Sequence, residues 1–183
     1  MALIFFLTFL FLFNLDFQFY KTISHKYLQV DNLTRFLGLF KGSYSILTCL
    51  LQLFLVSYIF NSFGISRSML IVPITFIFIS GILFFISLLS GFTGSFSKLF
   101  LPIVLATLLR FIVFESFFSP IYQIFFSSVR KSIRGKGKAF IEGIIKPIAI
   151  GLAGIFIILI PPHLKIFIFA FLLVISILLF YYT

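Results

Sequence analysis

Five cations fall within nine residues in the segment Arg130-Lys-Ser-Ile-Arg-Gly-Lys-Gly-Lys138, and the apolar run Ala139–Ile160 follows at once. A helix needs about 20 apolar residues to cross the hydrocarbon core of a bilayer, and this run has that length. Because cations at the end of an apolar segment stay in water on the cytoplasmic side, the stretch predicts a transmembrane helix preceded by a basic cytoplasmic loop over 129–138. The run also contains two ionisable residues, Glu142 and Lys146.

The composition of the whole chain excludes a soluble globular protein. Of 183 residues, 62% are hydrophobic and 31 are Phe, and the mean hydropathy is +1.27. A soluble domain is about half apolar, and its core could not hide this many aromatic side chains. We therefore expect a multi-pass protein of the cell (inner) membrane, with the lipid bilayer as its first partner.

The charge is strongly positive, with 14 Lys and Arg against 4 Asp and Glu, for a formal net charge of +10. Such a balance suits nucleic acid, anionic lipid or an anionic solute. Cytoplasmic loop charge and attraction to acidic headgroups explain it without nucleic acid, for which no motif is present. Cys49 is the single cysteine, so neither a disulfide framework nor a cysteine metal motif is expected.

No catalytic or phosphate-loop motif is found in the chain. We therefore expect neither an enzyme nor a bound cofactor or metal.

Apolar runs separated by polar breaks predict an all-α integral membrane fold with six transmembrane helices in one domain. The helices are expected at 1–26, 33–60, 68–90, 99–128, 139–160 and 163–182. Loop cations are equally numerous on the two sides, but those of one side, including 129–138, lie in tight loops. We take that side as cytoplasmic, together with both termini.

Polar side chains line one side of the second helix, where Lys41, Ser45, Thr48 and Gln52 are spaced 4, 3 and 4 residues apart. Unpaired polar groups are costly in hydrocarbon, so this stripe is expected to face the bundle interior. On the fifth helix, Glu142 and Lys146 have the spacing of an i,i+4 pair, and a structural ion pair between them is one interpretation.

Arg110 and Glu115 are the ionisable residues of the fourth helix. They are five residues apart, about 140° round the helix, so they are not expected to pair with each other. An ionisable residue in a span costs about 2.5 to 3.5 kcal/mol on insertion scales, and it usually marks a pathway or a structural pair. For Arg110 both alternatives stay open: a place in a solute path, or a salt bridge that clamps two helices.

Several segments resemble the major-facilitator-like nucleotide transporters, the ATP/ADP translocase family and its bacterial relatives. Arg134 to Gly154 is similar to that group's Arg-x-x-x-Lys-Ala-x-x-x-Gly-x-x-x-Pro-x-Gly/Ala segment. Shorter similarities, taken in order along the chain, are Asp16-Phe-Gln-Phe-Tyr-Lys21, Phe36-Leu-Gly-Leu-Phe40, Gln52, Phe63-Gly64 and Phe114-Glu-Ser-Phe-Phe-Ser-Pro-Ile-Tyr122.

The resemblance implies two six-helix halves with the substrate between them and alternating access by rocking. This chain resembles one half, the second, so a homodimer or a partner membrane half is implied. In that family, basic and acidic side chains within helices engage the nucleotide phosphates, and Lys21, Glu115 and Lys146 match by position. With the polar residues singled out above, the candidate substrate-binding set is Lys21, Gln52, Arg110, Glu115, Glu142 and Lys146.

Three hypotheses for function follow. The first is a half-size or truncated transporter of the major-facilitator type, moving a nucleotide or another organic anion. The second is a non-transporting membrane subunit or scaffold, in which the buried ions only clamp helices. The third is a non-functional remnant of a split transporter gene, in which Met1 lies inside the original reading frame.

Overall fold

The protein is described here from a computed structural model, which covers residues 2–89, 96–159 and 165–183. All regular structure in these ranges is helical. The helices are α1 (Ala2–Lys26), α2 (Val30–Leu51), α3 (Ser57–Ser68), α4 (Ile71–Leu89), α5 (Phe96–Val113), α6 (Ser119–Ser128), α7 (Lys131–Phe140), α8 (Lys146–Leu159) and α9 (Lys165–Tyr182).

Three π-helical turns of five residues interrupt this part of the chain, at Gln52–Val56, Phe114–Phe118 and Ile141–Ile145. They join α2 to α3, α5 to α6 and α7 to α8. Each pair therefore forms one long helix with a widened turn inside it.

Within the described ranges, five helical segments are long and apolar enough to cross a membrane. They are Ala2–Lys26, Val30–Gly64, Ile71–Leu89, Leu99–Ser128 and Ile133–Leu159, and the apolar segment Phe167–Tyr182 is shorter. These segments overlap the six predicted helices, of which residues 1, 90, 160 and 163–164 lie outside the described ranges. The all-α class and the apolar, membrane-compatible helices are confirmed at this level.

The second span ends where the backbone of Gly64 leaves the helical region, at φ 76° and ψ 163°. A side chain at positive φ crowds the backbone, so glycine suits this position. The helix therefore changes direction at Gly64, a few residues beyond the predicted end at residue 60.

The basic loop predicted over 129–138 is corrected by the structure. Val129 is extended, at φ −80° and ψ 143°, but α7 already begins at Lys131 and continues through a π turn into α8. Extending an existing helix adds a hydrogen bond per residue without a new nucleation cost, which outweighs the low helix propensity of Gly135 and Gly137. The cations therefore lie on a helical extension of the span.

The centre of the bundle is α1, which packs against α5, α8 and α9, while α4 packs against α5 and α9. In the most apolar window of α1, 67% of the residues are buried, against 11% in Val30–Gly64 and 22% in Ile133–Leu159. Large aromatic side chains pack in this core. For example, Phe11 stacks on Phe76 of α4, with the ring centroids 4.2 Å apart. The second and fifth spans therefore lie at the outside of the bundle.

Candidate functional site: two grooves and a buried ion pair

Arg110 is buried between α5 and α1, with 3% of its surface exposed. Its Nη2 donates to Oδ1 of Asp16 at 2.5 Å, and its guanidinium carbon lies 3.7 Å from the ring centroid of Phe111. The Nε atom finds no hydrogen-bond partner among the described residues. Arg110 thus has its ion-pair partner on another helix.

A first groove, which we call the aromatic groove, lies where the fourth span meets α1 and the fifth span. It has a volume of about 150 Å³. Its lining comprises Phe9, Phe114, Phe118, Ser119, Tyr122, Glu142 and Lys146.

Glu142 is held in the aromatic groove by two neighbours. The Tyr122 hydroxyl donates to its Oε1 at 3.2 Å, and the Nζ atom of Lys138 lies 3.8 Å from the same oxygen. The ammonium group of Lys146 instead lies 5.8 Å from the ring centroid of Phe9. The i,i+4 pair of Glu142 with Lys146 is not the one observed, because the π turn Ile141–Ile145 interrupts the α-helical register between them.

A second groove, which we call the oxygen-rich groove, lies between α2 and the π turn Phe114–Phe118. Its volume is about 330 Å³, and it is lined by Tyr44, Ser45, Thr48, Cys49, Gln52 and Glu115. The Nε2 atom of Gln52 donates to the backbone oxygen of Glu115 at 3.0 Å. Three residues of the predicted polar stripe therefore share one groove.

The stripe does not face the bundle interior as predicted. Thr48 is buried, but Lys41, Ser45 and Gln52 are exposed. The reason is that α2 touches the bundle along a narrow edge only, so most of its circumference is left open. The polar side chains therefore line a groove at the surface.

Lys21 lies apart from the other candidates. It is half-buried on α1 and lines neither groove. The structure therefore brings together Gln52 with Glu115, and Glu142 with Lys146, while Arg110 is paired with Asp16.

The two carboxylates in the grooves occupy equivalent positions in a repeated pattern that the sequence interpretation missed. Phe114-Glu-Ser-Phe-Phe-Ser-Pro120 and Ile141-Glu-Gly-Ile-Ile-Lys-Pro147 share the order apolar, Glu, small, apolar, apolar, polar, Pro. In both, the first five residues form a π turn. Turns of this kind often occur at functional sites.

Proline explains the position of these two turns. It has no N–H, and its ring clashes with the carbonyl four residues earlier, so the chain before it adopts longer hydrogen bonds. The N–H of Ser119 donates to the oxygen of Phe114, and that of Lys146 to the oxygen of Ile141, each five residues back. A Pro five residues after a Glu was therefore the sequence signal for these two π turns. Nothing comparable explains the π turn at Gln52–Val56.

The arrangement can bind charged groups of both signs. The aromatic groove places the ammonium group of Lys146 beside aromatic rings, which suits a planar organic anion. The described ranges contain no cluster of three or more His, Cys, Asp or Glu that could hold a metal ion.

No protein-family model, curated protein or solved structure matches this chain.

Proposed function

We propose that this chain is one half of a membrane transporter of the major-facilitator type, which carries an organic anion by alternating access between itself and a second half. The observation that carries the proposal is the position of Glu142 and Lys146. Both are exposed, although they lie well inside a helix long enough to cross a membrane.

Exposure at that depth is unfavourable without a partner. An ionised group facing hydrocarbon costs about 2.5 to 3.5 kcal/mol on insertion scales. Gln52 and Glu115 add two polar groups on another part of the outer surface. A second copy of the chain, or a different membrane half, would cover these grooves and leave a water-filled path between the halves.

The aromatic groove supports an organic anion as substrate. Lys146 supplies a positive charge, and Phe9, Phe118 and Tyr122 supply ring faces and edges for a planar group. A nucleotide has both features, and the family resemblance favours it. We assign Lys146 to the anionic group and Glu142 to holding Lys138 and Tyr122 in place.

The experiment combines native mass with uptake. The protein is extracted in mild detergent for mass measurement and reconstituted in liposomes for uptake of labelled nucleotides and other organic anions. We expect a mass of two copies, or of one copy with a second membrane chain. Lys146→Met abolishes uptake, whereas Lys136→Met, which removes an exposed cation outside the groove, leaves it unchanged. A 21.0 kDa species without uptake contradicts the proposal.

The non-transporting scaffold is the second candidate, and the buried pair of Arg110 with Asp16 favours it, because this pair clamps α5 to α1. The double substitution Glu142→Gln with Lys146→Met separates the two. Loss of uptake with intact assembly supports transport. Unchanged assembly and unchanged uptake support the scaffold.

A further inference from the structure

We propose that the oxygen-rich groove binds one monovalent cation of the Na⁺ type, with the Glu115 carboxylate as its anionic ligand. The groove is separate from the aromatic groove in which we place the organic anion. The cation site therefore does not depend on whether the chain transports that anion.

The groove offers the ligand chemistry that a hard cation needs. Its lining supplies hydroxyl groups from Tyr44, Ser45 and Thr48, an amide from Gln52 and the carboxylate of Glu115. No Lys, Arg or His is among its lining residues. Oxygen ligands of this kind select hard alkali and alkaline-earth cations over softer metals.

Thr48 gives an independent reason to expect a ligand. Thr8, Thr22 and Thr107 each donate their hydroxyl to the carbonyl oxygen four residues earlier in their helix. The hydroxyl of Thr48 is buried, and it finds no hydrogen-bond partner among the described residues. Leaving such a group unsatisfied is destabilising. A cation in the groove would use the Thr48 oxygen as a ligand.

The local charge favours a monovalent ligand. Arg110 lies within electrostatic reach of Glu115, Tyr20 and Tyr44, but its ion pair is with Asp16. Within the described ranges, Glu115 makes no ion pair of its own. One guanidinium between two carboxylates leaves one negative charge, which a single monovalent cation neutralises. An uncompensated carboxylate attracts such a cation.

Cys49 makes the site measurable without a known substrate. It is the only cysteine of the chain, and it is exposed in the lining of the oxygen-rich groove. The rate at which N-ethylmaleimide alkylates Cys49 in the full-length protein therefore reports on occupation of the groove. The rate is measured at fixed pH and ionic strength, with Na⁺ titrated against choline.

We expect Na⁺ to slow alkylation of the wild type several-fold and to have no effect on Glu115→Gln. The matched control is Asp31→Asn, the same chemical change at an exposed position of α2, which keeps the Na⁺ effect. A second variant, Thr48→Val, preserves the side-chain shape and should raise the Na⁺ concentration for half-protection about tenfold, the size of one lost polar contact.

Two results overturn the proposal. One is an alkylation rate of Cys49 that is equal in Na⁺ and in choline. If that rate, measured relative to a free thiol, then changes only with pH, the ligand of the groove is a proton. The other is a Na⁺ effect that survives in Glu115→Gln. If Na⁺ protects Cys49 but no organic anion is taken up, the cation site stands and the proposed transport function fails.

Discussion

The side-chain amide of Gln52 replaces a backbone donor that Glu115 has lost. In an α-helix, the oxygen of Glu115 would accept from the N–H of Ser119, but that N–H donates to Phe114. The next residue along is Pro120, which has no N–H to offer. Gln52 donates to the vacant oxygen at 3.0 Å. One hydrogen bond therefore joins two π turns on neighbouring spans.

Removing this donor is expected to destabilise the protein. Gln52→Ala leaves the Glu115 oxygen without a protein partner, which should lower the free energy of unfolding by about 1 kcal/mol, since Gln52 is exposed and water can reach the site. Gln123→Ala removes another exposed amide and serves as the control. Denaturant unfolding in detergent measures both variants, and equal stability of the two would contradict this role for Gln52.

Restoring the missing N–H should make Gln52 dispensable. In Pro120→Ala, the new backbone N–H can donate to a carbonyl of the preceding turn, so the Glu115 oxygen no longer depends on the Gln52 side chain. The cost of Gln52→Ala should then fall by at least about 0.5 kcal/mol in a double-mutant cycle. Pro102→Ala is the control background, because Pro102 lies within α5 and no π turn comes directly before it. If Gln52→Ala costs the same stability in the Pro120→Ala background as in the wild type and in Pro102→Ala, the proline mechanism is refuted.

Breaking the buried ion pair should be more damaging than replacing it. Asp16→Asn leaves the guanidinium of Arg110 buried without its counter-charge, and loss of one partner of a buried pair costs about 3 to 5 kcal/mol. The double variant Asp16→Leu with Arg110→Met should recover most of that loss. Thermal unfolding of the detergent-solubilised protein measures these changes.

The same double variant also decides the role of Arg110. If assembly and uptake both recover, the pair is a clamp between α1 and α5. If assembly recovers and uptake does not, Arg110 belongs to the solute path. A wild-type melting temperature for Asp16→Asn alone would show that the pair contributes nothing to stability.

Glycine substitutions test the helical extension over α7. Gly135 has open space where a Cβ would lie, so Gly135→Ala should stabilise the protein by about 0.5 to 1 kcal/mol if the segment is helical. Gly64→Ala also meets open space, but at φ 76° it should destabilise by about 1 to 2 kcal/mol. Urea unfolding compares them, and no gain from Gly135→Ala would favour the original loop prediction.

The spans could be predicted from the sequence because length and apolar composition alone determine whether a helix can cross a membrane. The stripe through Ser45, Thr48 and Gln52 was likewise visible from helical spacing. The direction in which the stripe faces could not be predicted, because packing between distant segments decides which side of α2 touches the bundle. For Arg110 the sequence left open a solute path or a salt bridge to another helix, and the choice of Asp16 as partner could not be predicted, for the same reason.

The binding surfaces were less predictable than the helices. Spacing rules assume an α-helical register, and Lys146 was singled out as the partner of Glu142 on that basis. The π turn lies between those two residues, and the observed i,i+4 contact of Glu142 is with Lys138. Phe9 and Tyr122 reach the aromatic groove from α1 and α6, and nothing in their own segments marks them as its lining. The repeated Glu with Pro five residues later was readable in the sequence, and it would have placed both π turns.

The π turn at Phe114–Phe118 also bears on which way the two halves of the fourth span face. A π turn holds one residue more than the α-helical path requires, and each residue rotates a helix by about 100°. The part before the turn presents Arg110 to the core, and the part after it presents Tyr122 to the aromatic groove. Because the wide turn absorbs the extra residue, deleting Ser116 should leave an uninterrupted α-helix in which Arg110 still faces the core and Tyr122 still faces Glu142.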